Sequence, residues 1–560
     1  MNPTLDVRYA LDTRVPMRDG VELSADIYLP DTPSGRFPTV LVRTPYDNNR
    51  LDTIAAARSF AQDGYACVVQ DVRGRWDSDG DYYPFRHEGI DGYDTQEWIG
   101  RQSWSNGRIG MSGPSYLGLV QWMSAPNASR HLTCIAPRVV CAEFLGSMVR
   151  PGGALQLTTA LTWGMRTNAR TAQSIAFHSW TEAFYTLPIA DLDLKLGRRL
   201  QFWQDWLAHD RYDEYWEAFS VAHRWQQIKV PALNMGGWYD LYAADTFANF
   251  NAMRSLGASP AARQSRIIVG PWPHRLAEST RTGDVDFGSS SLINLDRYER
   301  RWFNLWLKDD DDGLSNEPPL RLFIMGANEW RDEHEWPLAR TDWQTWYLHS
   351  DGTANSARGD GTLTTTPPGE EPSDKFEYDP RFPVQSLGGT TCCTPEIVSW
   401  GAYDQRPVEA RSDVLCYTSE SLPVSIEITG PITLVLFAAT DGLDTDWTAK
   451  LIDVSPSGYA MNLCDGIIRA RYRDGMREPT LLEPGQVYRY EIEVGVTGNV
   501  FGAGHCVRLE ISSSNFPCYD RNLNTGNHLA SDTTMRTASQ TVLHTHSHPS
   551  HVRMPVIPQT

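Results

Sequence analysis

Short apolar runs, separated by segments of helix length, recur through the first half of the chain. Six of them stand at residues 39–42, 65–70, 109–111, 133–136, 232–235 and 266–269. Strands that are covered by helices on both faces show continuous apolar runs of this kind rather than strict alternation. The pattern therefore predicts a largely parallel α/β sheet, preceded by a hairpin where residues 15–28 alternate around Asp19 and Gly20.

Between the fourth and fifth apolar runs the pattern changes. Residues 141–229 contain long, aromatic-rich segments of helical character, such as 179–185, and no strand pattern interrupts them. A stretch rich in Gly, Ser, Thr and Pro at 350–372 indicates a loop between domains. Beyond it, segments such as 432–437 and 488–494 alternate apolar and polar residues, which is typical of a β-sandwich.

These patterns predict three domains. That number fits a chain of 560 residues, because a single core rarely grows beyond about 250–300 residues. The predicted fold class is α/β, with an α/β core, an inserted helical cap and a C-terminal β-sandwich domain. The predicted boundaries are 1–140 and 230–349 for the core, 141–229 for the cap and 350–560 for the C-terminal domain.

The net charge of the chain is −19, from 50 Lys and Arg against 69 Asp and Glu. Affinity for nucleic acid depends largely on clustered basic side chains, so a nucleic-acid partner is not expected. Residues 1–6 have neither the basic nor the apolar region of a signal peptide, and no apolar run approaches the roughly 20 residues of a membrane span. We therefore expect a soluble, cytoplasmic protein without a membrane partner.

The nine cysteines form an odd number and include no C-x-x-C pair. This usage predicts reduced, buried thiols rather than a disulfide framework. The adjacent residues Cys392 and Cys393 are interpreted as an incidental pair. No metal site and no cofactor are predicted.

The segment at residues 113–118, with the sequence GPSYLG, is the leading candidate for chemistry. It follows a predicted strand and precedes an apolar, helix-like segment at 119–123. Small glycines on both sides allow a sharp turn that lifts Ser115 clear of the sheet, and the helix behind it directs amide groups and a positive dipole end toward the same point. Ser115 is therefore a candidate nucleophile, although an ordinary βα turn rich in small residues gives the same pattern.

A serine nucleophile needs a histidine base and a carboxylate that orients the histidine. Asp240 follows the fifth apolar run and His274 follows the sixth. Both positions lie just beyond the carboxyl end of a predicted strand, where ligands bind in open α/β sheets. The chain order Ser115, Asp240, His274 is that of α/β-hydrolases. Taken singly, Asp240 also fits a helix cap, and His274 also fits a core histidine.

Acyl transfer also requires hydrogen-bond donors for an oxyanion. The backbone amide of Tyr116, directly after the candidate nucleophile, is one expected donor. The loop at residues 43–47 follows an earlier strand, and the phenol hydroxyl of its Tyr46 is the candidate for the second.

With these segments in place, the sequence resembles the CocE/NonD family of serine hydrolases, which includes bacterial cocaine esterase, α-amino-acid ester hydrolases and X-prolyl dipeptidyl peptidases. The resemblance extends over nearly the whole chain. It rests on residues 43–46 (RTPY), 71–74 (DVRG), 113–118 (GPSYLG), 237–240 (GWYD), 270–274 (GPWPH), 404–406 (DQR) and 520–526 (DRNLNTG).

The resemblance implies an α/β-hydrolase core, a helical cap inserted after the sixth strand and a C-terminal jelly roll. It also implies a role for each candidate residue. Ser115 is the nucleophile, His274 is the general base and then the general acid, and Asp240 is the orienting carboxylate. The Tyr46 hydroxyl and the Tyr116 amide are the oxyanion donors.

Departures from the family pattern narrow the expected activity. In the α-amino-acid ester hydrolases, carboxylates two and three residues after the catalytic aspartate help to hold the ammonium group of the substrate, whereas Tyr242 and Ala243 stand there in this chain. X-prolyl dipeptidyl peptidases carry a large N-terminal helical domain, whereas here the first hairpin begins near Val15. Trp163 and Tyr242 are candidates for an acyl pocket, although core packing explains both residues nearly as well.

The predicted function is a serine hydrolase that cleaves acyl esters, or amides, of small molecules through a Ser-His-Asp triad and a covalent acyl-enzyme. Three alternatives stay open: an acyltransferase that uses the same acyl-enzyme, an X-prolyl dipeptidyl aminopeptidase, and a carbohydrate-binding protein whose triad is inactive. The expected partner is a small-molecule ester or amide substrate, and a homo-oligomer is also compatible with the sequence.

Overall fold

The computed structural model describes residues 5–32 and 35–558 of the chain. Its first part alternates strands with helices, as the apolar runs predict. The elements of this part are β1 (Val7–Pro16), β2 (Glu22–Pro30), β3 (Phe37–Thr44), α1 (Leu51–Gln62), β4 (Ala66–Asp71), α2 (Glu88–Gly100), β5 (Ser105–Pro114), α3 (Tyr116–Ser124) and β6 (Leu132–Arg138).

A helical insertion follows, and the chain then returns to the same strand-and-helix alternation. The helices of the insertion are α4 (Leu157–Thr167), α5 (Trp180–Phe184), α6 (Leu192–Lys195), α7 (Gln201–Ala208) and α8 (Glu214–Glu217). The elements after it are β7 (Leu233–Gly237), α9 (Ala243–Leu256), β8 (Arg266–Gly270), β9 (Arg281–Thr282), β10 (Val285–Asp286), α10 (Leu295–Lys308), β11 (Leu320–Ile324) and β12 (Glu329–Glu333).

Among the described residues, ten strands form one sheet in the order β1-β2-β4-β3-β5-β6-β7-β8-β11-β12. Neighbours from β4 to β11 are parallel, and the pairs at the two edges are antiparallel. All residues of β4 are buried, as expected for a strand with helices on both faces. Parallel strands end at one edge of a sheet, so β5, β7 and β8 bring the segments that follow them to the same side of the molecule.

The helical insertion packs onto the sheet as part of one continuous core. Trp203 and Trp216 of the insertion are fully buried, and they belong to the same apolar cluster as Trp122 of α3 and Ile135 of β6. Burying such large aromatic groups stabilises the packing of the insertion on the sheet. The free energy gained is roughly 25 cal/mol per Å² of apolar surface removed from water. The predicted α/β fold with an inserted helical segment is confirmed.

The remaining chain forms a β domain. Its elements are β13 (Asp342–His349), β14 (Thr362–Thr364), β15 (Asp374–Tyr378), α11 (Arg406–Glu409), β16 (Leu415–Thr418), β17 (Ile426–Thr440), β18 (Asp446–Val454), β19 (Ala460–Arg469), β20 (Tyr488–Phe501), β21 (Cys506–Ser512), β22 (Ala538–Thr545), β23 (His548–Pro549) and β24 (His551–Ile557). These strands belong to a second, largely antiparallel sheet, which confirms the predicted C-terminal β domain.

One strand assigned to the core by sequence lies in the second sheet. The segment Asp342–His349 forms β13, which pairs with β24 of the C-terminal domain. The stretch 350–372, interpreted from sequence as a loop, contains the short strand β14. We therefore propose a division in which the C-terminal domain begins before β13, with residues 141–229 as the cap and the rest of the preceding chain as the core.

The cap is held to the C-terminal domain through the segment around Asp520. The backbone amide of Leu155 donates to Asp520 Oδ1 at 2.8 Å, and the buried guanidinium of Arg469 pairs with the same carboxylate at 2.8 Å. The hydroxyl of Thr158, in α4, donates to the Pro517 carbonyl at 2.6 Å. These contacts fix the start of α4, the cap helix that carries Trp163.

Candidate active site

Ser115 lies at the tip of the turn between β5 and α3. Its backbone has φ 57° and ψ −124°, a conformation that costs a non-glycine residue about 1–3 kcal/mol and persists only where the surroundings enforce it. Gly113 makes the turn feasible, because its φ is 134° and a Cβ at this position would lie 2.5 Å from the Cβ of Leu117. The Ser115 amide donates to the Arg138 carbonyl at 2.9 Å, which fixes the turn against β6.

Asp240 and His274 form a hydrogen-bonded pair beyond β7 and β8. His274 Nδ1 lies 2.6 Å from Asp240 Oδ2, and Asp240 Oδ1 accepts a hydrogen bond from the Tyr242 amide at 2.6 Å. The carboxylate requires a proton on Nδ1, so the lone pair of the imidazole resides on Nε2. This Nε2 is buried and has no hydrogen-bond partner within residues 5–32 and 35–558. The pair therefore presents a base whose tautomer is fixed.

A close approach of two loops brings this pair together. A Cβ at Gly237 would lie 2.1 Å from the carbonyl oxygen of Trp272, so only glycine fits there. The amide of Tyr239 donates to the same carbonyl at 3.0 Å. Because the ends of β7 and β8 touch at this point, Asp240 and His274 come within hydrogen-bond distance although 34 residues separate them.

Tyr46 follows β3, and its hydroxyl reaches Ser115. Nε1 of Trp163, in α4, donates to the Tyr46 hydroxyl at 3.0 Å, and the side chain of Ser115 also hydrogen-bonds this hydroxyl. Burial raises the pKa of Tyr46, and these two hydrogen bonds oppose the rise. Because the indole N–H engages a lone pair of the phenol oxygen, the proton of Tyr46 is available to a ligand.

The loop that carries Tyr46 is anchored by a buried arginine. Nε of Arg75 donates to the Pro45 carbonyl at 2.8 Å, and Nη1 of the same side chain donates to the Thr167 carbonyl at 2.6 Å. The indole of Trp76 donates to the Pro45 carbonyl as well, at 3.1 Å. Arg75 thus connects the Tyr46 loop to the end of α4. This connection holds Tyr46 and Trp163 at hydrogen-bond distance from each other.

Tyr116 is the first residue of α3. Its hydroxyl donates to Glu88 Oε1 at 2.7 Å and accepts from the Phe85 amide at 3.2 Å, so the position of the ring is fixed. The first amide of a helix has no carbonyl partner within the helix. The Tyr116 amide therefore adds a donor beside Ser115, where the positive end of the α3 dipole also acts.

A small cavity lies beside Ser115. Five residues singled out from the sequence line it together: Tyr46, Ser115, Tyr116, Trp163 and Tyr242. The other described lining residues are Phe85, Leu119, Val140, Met148, Thr159, Cys392 and Cys393. None of these twelve lining residues is Asp, Glu, Lys, Arg or His, so the cavity suits an uncharged group.

Aromatic rings form one wall of the cavity. Phe85 stacks on Tyr116 with ring centroids 4.7 Å apart, and on Trp163 at 5.7 Å with an interplanar angle of 9°. The ring of Tyr242 lies edge-on to His274 at 6.1 Å. Phe85 was not predicted from the sequence, because the loop between β4 and α2 carries no periodic pattern that marks it. The wall offers flat apolar surface to a ligand.

Cys392 and Cys393 are joined by a disulfide and line the same cavity. The prediction of reduced thiols is therefore wrong for this pair, and the interpretation of the pair as incidental is wrong too. The seven other cysteines are free. The spacing of the cysteines did not predict this disulfide, because adjacent cysteines are rarely joined to each other. Its place in the cavity was not predicted either, because the pair lies more than a hundred residues beyond His274 in the sequence.

Two larger depressions are also present, and Asp240 lines the second of them. One is bounded by cap residues around Trp180 and by Glu396, and the other lies between the cap, α9 and the C-terminal sheet. Neither is lined by Ser115 or His274. Across the described ranges, no helix has both the length and the apolar character needed to cross a membrane.

Comparisons with known proteins agree with this architecture. The family model described as X-Pro dipeptidyl-peptidase (S15 family) matches residues 19–275, and the model of the X-Pro dipeptidyl-peptidase C-terminal non-catalytic domain matches residues 312–553. The chain is 38% identical over 577 residues to cocaine esterase of Rhodococcus sp. (strain MB1 Bresler), and the match covers 98% of each chain.

Solved structures give the same picture. An α-amino acid ester hydrolase superposes with a TM-score of 0.84 at 26% identity, over 99% of this chain and 97% of that chain. A CocE/NonD family hydrolase from Staphylococcus aureus shares the fold, with a TM-score of 0.72 at 19% identity over 98% and 94% of the two chains. Identity of 38% to an esterase over almost the full length is decisive, and the chain belongs to the CocE/NonD family of serine hydrolases.

Proposed function

We propose that this hydrolase cleaves esters whose acyl group is uncharged and largely apolar, through an acyl-enzyme on Ser115. The observation that carries the proposal is the cavity itself. Its lining is neutral and aromatic, and it includes Ser115 and the Tyr46 hydroxyl. The Asp240–His274 pair supplies a fixed base whose ring lies against Tyr242 of the same lining.

In the proposed acylation step, the Ser115 hydroxyl turns from Tyr46 to His274 and gives its proton to Nε2 while Oγ attacks the ester carbonyl. The buried carboxylate of Asp240 stabilises the resulting imidazolium and does not itself take the proton. His274 then donates the same proton to the departing alkoxide. The alcohol leaves, and the acyl group remains bonded to Oγ.

Deacylation repeats these steps with water. His274 removes a proton from the water, the resulting hydroxide adds to the acyl carbonyl, and the proton passes on to Oγ of Ser115 as the acid departs. In both steps the carbonyl oxygen becomes an oxyanion. The Tyr46 hydroxyl and the Tyr116 amide donate to it, with the helix dipole of α3 acting in the same direction.

A double-mutant cycle on Tyr46 and Trp163 measures the oxyanion contribution. Tyr46→Phe is expected to lower kcat by about 10²- to 10³-fold, the usual cost of one lost oxyanion donor, with little change in KM. Trp163→Phe keeps an aromatic wall but removes the N–H that polarises the phenol, and a hydrogen bond of about 1 kcal/mol corresponds to a loss of about fivefold.

The two changes are expected to be non-additive. In the Tyr46→Phe background the phenol is absent, so Trp163→Phe has no hydrogen bond to remove and its effect on kcat should vanish. Steady-state kinetics on one ester, for the four proteins of the cycle, checks this. Equal effects of Trp163→Phe in both backgrounds would show that the indole acts on the acyl group rather than through Tyr46.

The matching family models favour X-prolyl dipeptidyl peptidase activity as the second candidate. Such a substrate brings a charged N-terminal ammonium group into the site. Burying an unpaired ammonium costs several kcal/mol, and none of the described lining residues offers a carboxylate to pair with it. The neutral lining therefore favours the esterase over the aminopeptidase.

A substrate panel tests this choice. We expect kcat/KM for p-nitrophenyl butyrate and benzoate to exceed that for an Xaa-Pro p-nitroanilide and for an α-amino-acid ester by at least about 100-fold, because several kcal/mol of unpaired charge burial is involved. Comparable rates on the dipeptide anilide would overturn the proposal. Adding an alcohol during turnover measures how the acyl-enzyme divides between hydrolysis and acyl transfer, and a dominant ester product would indicate an acyltransferase.

A further inference from the structure

The Cys392–Cys393 disulfide lies directly against the candidate base. One ring nitrogen of His274 and the sulfur atoms of both cysteines all lie within 4.8 Å of one another. His274 and Cys393 are partly buried, Cys392 is fully buried, and both cysteines line the cavity that contains Ser115. Three side chains with the ligand chemistry of zinc thus converge at one point, from the segments after β8 and after β15.

We propose that reduction of this disulfide creates an inhibitory zinc site formed by the two thiolates and Nε2 of His274. While the sulfur atoms are bonded to each other they cannot act as two separate thiolate ligands. Once separated, two sulfurs and an imidazole nitrogen are the soft donor set that Zn²⁺ prefers, with a water molecule as the fourth ligand. Zinc–ligand bonds of about 2.0–2.3 Å place tetrahedral ligands roughly 3.5 Å apart, within the span observed here.

The carboxylate that would orient His274 as a zinc ligand is already in place. Histidine ligands of zinc characteristically donate their other ring N–H to a carboxylate, which fixes the tautomer and makes the ligating nitrogen more basic. Nδ1 of His274 donates in this way to Asp240 Oδ2, at 2.6 Å. Nε2 is consequently the free nitrogen, and it is buried without a hydrogen-bond partner in the described part of the chain. The arrangement that prepares His274 as a base also prepares it as a metal ligand.

A dithiol can act as the reductant of this disulfide. Dithiothreitol gives two electrons and two protons to the Cys392–Cys393 disulfide and becomes a cyclic disulfide itself. Zinc binding then releases the two thiol protons, because thiolates rather than thiols coordinate the metal. In this state the lone pair of Nε2 is committed to zinc, so His274 cannot accept the Ser115 proton.

The inhibition rests on the proposed catalytic role of His274, whereas the binding of zinc does not. We therefore expect two separable results. First, reduced protein carrying Ser115→Ala binds one equivalent of Zn²⁺, measured by competition with a chromogenic chelator, and Co²⁺ in its place gives a thiolate charge-transfer band. Second, the reduced wild-type enzyme loses ester hydrolysis when Zn²⁺ is added, and regains it with EDTA.

Oxidised enzyme, Cys392→Ser and Cys393→Ser provide the decisive comparisons, each normalised to its own rate without metal. The zinc concentration for half inhibition should rise more than about 100-fold in all three, since even a residue that only hydrogen-bonds a metal ligand accounts for 10- to 100-fold in affinity. Cys506→Ser is the matched control, because Cys506 is a free, partly buried cysteine outside the cavity. This variant should keep the inhibition of the reduced wild type.

Three results would overturn the proposal: no zinc binding by reduced protein, equal inhibition of oxidised and reduced enzyme, or a disulfide that dithiothreitol does not reduce in the folded protein, as judged by thiol counting. Thermal unfolding of each form shows whether the fold persists, and the Co²⁺ band reports the ligands directly if a variant is less stable. Cysteine-dependent zinc binding without inhibition would support the metal site and contradict the role proposed for His274.

Discussion

Ser115→Ala is expected to lower kcat for ester hydrolysis by about 10⁵- to 10⁶-fold, the loss found when a triad nucleophile is removed. Alanine keeps the Cβ and therefore the conformation of the turn, but it has no oxygen to form the acyl-enzyme. The residual rate should come from the oxyanion donors acting on attack by water. Burst kinetics with a p-nitrophenyl ester, together with labelling by a fluorophosphonate probe, measures the loss, and the variant should not be labelled.

Ser112→Ala is the matched control for this experiment. Ser112 lies three residues earlier on β5, and its hydroxyl donates to Glu299 at 2.7 Å rather than facing the cavity. Its removal should lower the stability of the fold by about 1 kcal/mol while leaving labelling and kcat per labelled site unchanged. Retained fluorophosphonate labelling in Ser115→Ala would contradict the assignment of the nucleophile and, with it, the proposed mechanism.

Asp240→Asn is expected to lower kcat by about 10⁴-fold, with a small change in KM. An amide nitrogen facing Nδ1 of His274 favours the tautomer whose proton is on Nε2, and that nitrogen then cannot accept the Ser115 proton. The loss therefore comes from the wrong tautomer rather than from altered geometry. Steady-state kinetics measures it, and a fall in kcat of tenfold or less would exclude Asp240 as the orienting group.

Asp245→Asn serves as the control for Asp240→Asn. Asp245 lies five residues further on, in α9, and its carboxylate accepts a hydrogen bond from Ser147 at 2.6 Å instead of contacting the imidazole. Burial raises the pKa of Asp245 to about 7, so this carboxyl is partly protonated at neutral pH and the amide removes less charge than at an ordinary aspartate. Only a slight effect on kcat is expected here, whereas similar losses in both variants would indicate a general loss of negative charge.

Much of the candidate site follows from local sequence because parallel sheets impose a common edge. Once β5, β7 and β8 are recognised as strands, Ser115, Asp240 and His274 must come to the same side of the sheet, whatever their separation in sequence. Two glycines in the sequence stand where the backbone requires them: residue 113 has a positive φ, and residue 237 lies too close to a neighbouring carbonyl for a Cβ. Those signals are local, and a single sequence carries them.

The remaining features depend on contacts that no local pattern encodes. Phe85 lies in an irregular loop, and its position is set by stacking on Tyr116 and Trp163. Cys392 and Cys393 reach the cavity from a segment of the C-terminal domain whose path is set by the packing of that domain on the core. The placement of β13 in the second sheet depends on pairing with β24, about two hundred residues away.

The position of residues 392 and 393 in the lining of the cavity has a consequence for protein engineering. The family model describes the C-terminal region as a non-catalytic domain, yet in this chain Cys392 and Cys393 of that region line the chamber beside Ser115. Trimming it to obtain a minimal enzyme would remove part of that chamber, together with the Asp520 contacts that hold the start of α4. Exchanging the same region between relatives is therefore expected to alter substrate choice while Ser115, Asp240 and His274 stay unchanged.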